Sequence, residues 1–72
     1  MTPQESMLAK SFEAKLKDFK GTPEEFLNSI PGSVNCKASA EPGVWETKVM
    51  LSTTNIISVE TNGKDVLVLS LT

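Results

Sequence analysis

The chain divides at Pro31-Gly32, where the spacing of its apolar positions changes from helical to alternating. Before that point Leu8, Phe12, Leu16 and Phe19 recur three or four residues apart and trace one stripe, with Lys10, Glu13 and Lys17 on the other side. This predicts an amphipathic helix from Pro3 to about Lys20 whose stripe faces the core. Thr2-Pro3-Gln4-Glu5 supplies its start: Thr2 caps, Pro3 suits the first helical position and Glu5 completes a capping box. Lys15, Lys17 and Lys20 complement the negative end of the helix dipole, and Gly21 is expected in the left-handed conformation that ends many helices. Thr22-Pro23-Glu24-Glu25 repeats the start signal at once. A second, short helix therefore carries Phe26, Leu27 and Ile30 on one side and stops at Pro31-Gly32.

Beyond the division Val34, Cys36, Ala38 and Ala40 alternate with polar residues and predict a half-buried strand with these four inward. Pro42-Gly43 holds the centre of a type II turn into a strand from Val44 to Thr53, in which Trp45, Thr47, Val49 and Leu51 share a side. After a break at Thr53-Thr54-Asn55, two more strands, 56–61 and 65–71, flank Asn62-Gly63, the pair favoured in two-residue type I′ hairpins. The expected fold over residues 1–72 is a single α+β domain, with two N-terminal helices packed on one face of a four-stranded antiparallel β-meander.

A two-residue loop at Asn62-Gly63 pairs Thr61 with Lys64, Val59 with Val66 and Ile57 with Val68. One face of the hairpin then holds Ile57, Val59, Val66 and Val68, and the other holds Ile56, Leu67, Leu69 and Leu71. Both are apolar, and two short helices cover only one. Alternation does not decide which set lies beneath them. The uncovered set is expected to meet a partner, either another protein or a second copy of the chain, and an edge strand of this pattern would also accept a partner strand. Ile56, Leu67, Leu69 and Leu71 are the candidate interface residues, joined by Trp45, the single Trp, as a candidate anchor at the margin of the core.

Composition narrows the chemistry. Seven lysines against nine acidic residues give a net charge of -2, and the chain has no Arg, His or Tyr. Bidentate phosphate recognition, proton transfer near neutral pH and the usual metal sites thereby lose their preferred residues. Cys36 is the one cysteine, so no intrachain disulfide forms and a reducing, cytoplasmic location is expected. Its thiol has no His to activate it and reads as a small core residue. The polar N-terminus lacks the features of a secretory signal, and no run approaches the roughly 20 apolar residues that span a bilayer. Neither a cofactor, a metal, a small-molecule substrate nor enzymatic activity is expected. Lys10, Lys15, Lys17 and Lys20 concentrate positive charge on the first helix; a solvated face accounts for them, and a nucleic-acid role through them ranks last.

Pro23-Glu24-Glu25 opening a helix, Val49-Met50-Leu51 in a strand and Asn62-Gly63 in the last hairpin stand in an order similar to that of the small phage-encoded inhibitors of uracil-DNA glycosylase. The resemblance implies an inhibitor of another protein. In those inhibitors strong acidity imitates DNA and a Gln-Glu-Ser segment lies in a strand ahead of the second helix. Here Gln4-Glu5-Ser6 falls at a helix start and the net charge is only -2. The leading expectation is a noncatalytic protein-binding protein of inhibitor, adaptor or immunity type that acts through an apolar sheet surface. A self-associating structural or assembly subunit is the alternative.

Overall fold

The computed structural model describes residues 3–71, so the expected cap at Thr2 lies outside the described residues. Helices α1 (Pro3–Asp18) and α2 (Pro23–Ser29) are followed by strands β1 (Ser33–Ala38), β2 (Trp45–Met50), β3 (Ile56–Thr61) and β4 (Val66–Ser70). The strands form one antiparallel sheet in the order β1-β2-β3-β4, which is the expected α+β meander. Helix α2 packs against β1 and β2, and α1 packs chiefly against β4.

The stripe of α1 is centred slightly differently from its sequence pattern. Ala9 and Phe12 are buried, while Leu8, Leu16 and Phe19 are half-buried around the same core. The helix ends at Asp18, and the Phe19 N–H donates to Leu16 O at 3.1 Å in a tightened last turn. Gly21 is not in the left-handed region. It is a close approach instead: a Cβ there would stand 2.7 Å from the Phe19 ring, which lies edge-on to Phe26 at 5.5 Å. In α2 the capping box forms as expected, with the Glu25 N–H donating to Thr22 Oγ1 at 3.2 Å and the Thr22 N–H to Glu25 Oε1 at 3.1 Å. Phe26, Leu27 and Ile30 are all buried.

Strand β1 departs from simple alternation. Between Val34 and Lys37 the β1–β2 register shifts by a bulge, in which Asn35 takes a left-handed φ of 57°. The bulge inverts the residues before it: Val34 pairs with Lys48 on the outer face and is exposed, while Cys36 turns inward against α2. Ala38 and Ala40 are also exposed, so of the four expected inward residues only Cys36 reaches the core. Buried Thr47 sits opposite the bulge, and its hydroxyl donates to Val34 O at 2.8 Å. At Glu41-Pro42-Gly43-Val44 the expected turn forms, with Gly43 at φ 81° and Val44 N–H donating to Glu41 O at 3.2 Å.

The β3–β4 loop is longer than the two residues expected. Thr61 pairs with Val66, Val59 with Val68 and Ile57 with Ser70, leaving residues 62–65 as the loop. Side chains explain the extension. Asn62 Oδ1 accepts from the N–H groups of Lys64 and Asp65 at 2.9 and 2.8 Å, while Thr61 Oγ1 accepts from Gly63 N–H and donates to Asp65 O. The register moves by an even number of positions, so each residue keeps the face that its parity assigned.

Candidate interaction surface

The helices settle which face is core. Val49, Ile57, Val59, Val66 and Val68 line the inner face, and Val59 and Val68 retain 0% of their surface. Thr47 and Thr61 are buried among them with their hydroxyls bonded.

The outer face is built from three transverse rows defined by the pairing. Nearest the β3–β4 loop stand Lys37, Glu46, Glu60 and Leu67; next come Val34, Lys48, Ser58 and Leu69. The third holds Met50, Ile56 and Leu71, the last aligned by its N–H donating to Ile56 O at 2.9 Å. The middle of the face is thus charged: Glu46 lies opposite Glu60, and the Lys37 ammonium stands 3.8 Å from the Glu46 carboxylate. Apolar residues follow an L along two margins. One arm is the β4 column Leu67, Leu69 and Leu71, exposed by 41%, 44% and 49%, and the other is Leu71, Ile56 and Met50. Neighbours within the column are about 7 Å apart and those across strands about 5 Å, close enough for one continuous apolar strip.

Of the residues named from sequence, Ile56, Leu67, Leu69 and Leu71 come together on this face. Trp45 does not join them. It pairs with Ala38 and Thr61 on the helix side and is half-buried against the core. Met50 completes the short arm and is 48% exposed. Its alternation with Val49 was visible in the sequence, but its place beside Ile56 follows only from the β2–β3 register.

The remaining chemistry is thin. The Cys36 thiol, half-buried, donates weakly to Glu24 O at 3.8 Å. Burial, and after it the Glu24 carboxylate, pushes it above its ordinary value of 9.0, which favours the unreactive thiol. A depression of about 570 Å³, open to solvent, is bordered by Glu41, Glu60 and Asp65 near the β3–β4 loop. Among the described residues no three His, Cys, Asp or Glu side chains are grouped to hold a metal ion, and no helix is long and apolar enough to cross a membrane.

Gln4-Glu5-Ser6 lies within α1, not in a strand, so the segment that marks the uracil-DNA glycosylase inhibitors has no counterpart here. No family model, curated protein or solved structure matches the chain.

Proposed function

We propose that the chain is a noncatalytic binding domain that docks on another protein through the outer face of its sheet. Leu67, Leu69, Leu71, Ile56 and Met50 supply the apolar contact, and Lys37, Glu46, Lys48 and Glu60 fix the orientation of the partner. The observation that carries this reading is the contrast between adjacent residues of one strand: Val66 and Val68 are buried, while Leu67 and Leu69 are left bare. Fully covering a leucine is worth about 1.5–3 kcal/mol, so an exposed strip of them is a reserve of association free energy. The charged centre beside it suits a polar-rimmed, selective contact more than indiscriminate adhesion.

The test pairs two baits, the chain and its Leu69→Lys variant, in affinity capture from the source cell, with light scattering of each. A protein retained by the parent and lost by the variant, with both baits monomeric, is the expected result. Equal retention by both would overturn the reading. A parent dimer that Leu69→Lys dissolves would instead assign the same face to self-association.

A further inference from the structure

Asn62-Gly63 offers the least hindered route to a covalent change in this chain. A main-chain nitrogen can attack the carboxamide of the asparagine before it, and because the reaction is intramolecular its rate depends on how closely the two groups approach. Of the four asparagines, Asn28 lies within α2 ahead of Ser29, Asn35 stands in the β1 bulge ahead of Cys36, and Asn55 precedes the β-branched Ile56. Asn62 is the one followed by a residue with no side chain to obstruct the attack, and both Asn62 and Gly63 are exposed to water.

The step needs water and nothing else. As the Gly63 nitrogen gives up its proton to solvent it bonds to Asn62 Cγ; the bond from Cγ to the side-chain nitrogen breaks, and that nitrogen takes up a proton and leaves as ammonia. Water then opens the resulting succinimide at one carbonyl or the other, leaving aspartate or isoaspartate. In the folded chain the reacting groups are otherwise engaged. The Gly63 N–H, whose proton must be lost, donates to Thr61 Oγ1 at 3.1 Å, and Asn62 Oδ1 accepts from the N–H groups of Lys64 and Asp65 at 2.9 and 2.8 Å. Thr61 is 2% exposed, and its hydroxyl is fixed by donating to Asp65 O at 2.8 Å. Ring closure abolishes the Gly63 bond outright and moves the carboxamide carbon from the position that the other two bonds fix.

We propose that Asn62-Gly63 is a latent modification site, converting to isoaspartate and aspartate through the succinimide, and that the Thr61 hydroxyl sets how slowly the folded chain does so. Either product carries a carboxylate in place of the amide. It stands in the depression bordered by Glu41, Glu60 and Asp65, where Leu67 ends the apolar column, so the modification adds negative charge at one end of the outer face.

Site-resolved mass spectrometry of the full chain aged at mildly alkaline pH, folded and in urea, tests this, with loss of the amide nitrogen and isoaspartate at Asn62 as the readout. Conversion is expected at Asn62 ahead of Asn28, Asn35 and Asn55, and about tenfold slower in the folded chain than in urea. Thr61→Val removes the hydroxyl and keeps the shape of the side chain; with its fold checked by circular dichroism, its folded rate should rise to within about threefold of the urea rate. Thr61→Ser, which keeps the hydroxyl, should convert as slowly as the parent, and with the parent comparison it keeps the test decisive if Thr61→Val does not fold. Equal rates for the parent folded and in urea would overturn the proposal. So would a folded Thr61→Val as slow as the parent, a folded Thr61→Ser as fast as the chain in urea, or another asparagine converting first.

Discussion

Phe12 is held in the core with 7% of its surface exposed, and it lines one depression together with Phe26 and Ile30. Removing a buried phenyl leaves both a transfer loss and a void, so Phe12→Ala is expected to lower stability by about 3–5 kcal/mol. For a domain this small that approaches the whole margin, about 5 kcal/mol, and urea denaturation should show a largely unfolded population without denaturant. An unchanged midpoint would place the ring outside the core. Cys36 makes the opposite point, that a reactive residue type need not be reactive. Its raised pKa means the folded state holds the thiol proton more tightly than the unfolded chain does. The stability that this contributes is complete below the ordinary value of 9.0 and fades as pH climbs through the higher folded value. Alkylation by iodoacetamide at pH 8 is expected to be slower in the folded protein than in urea; equal rates would contradict the burial. At this scale the sequence was legible for Phe12, whose helical spacing marked it, and for Cys36, which has no His to activate it and whose neighbour Lys37 alternation turns to the other face. Trp45 was ambiguous, because a residue at the end of a strand's inner row is neither plainly covered nor plainly bare.

At the scale of elements, the helix starts were readable because capping is local: Thr22 and Glu25 satisfy each other within one turn. The sheet's departures were not, because they depend on main-chain groups distant in sequence. Nothing in Asn35 alone announces a bulge; Asn tolerates the left-handed region, and Thr47, twelve positions on, steadies the carbonyl of Val34. Asn35→Gly should therefore leave the urea midpoint within about 0.5 kcal/mol of the parent, whereas Asn35→Val should cost about 1–2 kcal/mol, because a branched side chain is strained at positive φ. Equal effects would mean the bulge is absent. The last hairpin was misread by two residues, since the Asn62 and Thr61 side chains compete with the two-residue turn that Asn-Gly favours. Gly63 has φ 96°, and a Cβ there would stand 3.3 Å from Pro23. Gly63→Ala is expected to destabilise by about 1–3 kcal/mol, read from thermal unfolding, and a neutral result would show the loop refolding to another turn.

For the whole molecule, parity survived where register did not. A slip of two positions changes every partner but moves no residue to the other face, so the division into a valine set and a leucine set was already present in the alternation of residues 56–71. What alternation could not supply was the choice between them. That choice rests on how α1 and α2 lie, with the β-branched set fitting closely beneath them and the larger leucines turned away. The charged middle of the outer face was equally invisible, since Lys48, Glu46 and Glu60 become neighbours only when β2 and β3 pair. The proposed interface requires that the leucine strip contribute to association and not to folding. Urea unfolding of two neighbouring variants, Val68→Lys and Leu69→Lys, separates the two roles. A lysine at position 68 places a charge in the sealed core and is expected to remove about 4 kcal/mol or more, leaving little folded protein. A lysine at position 69 enters solvent, and its midpoint should match the parent within about 0.5 kcal/mol. If Leu69→Lys unfolds the domain as Val68→Lys does, both faces of the sheet are core and no free interaction surface exists.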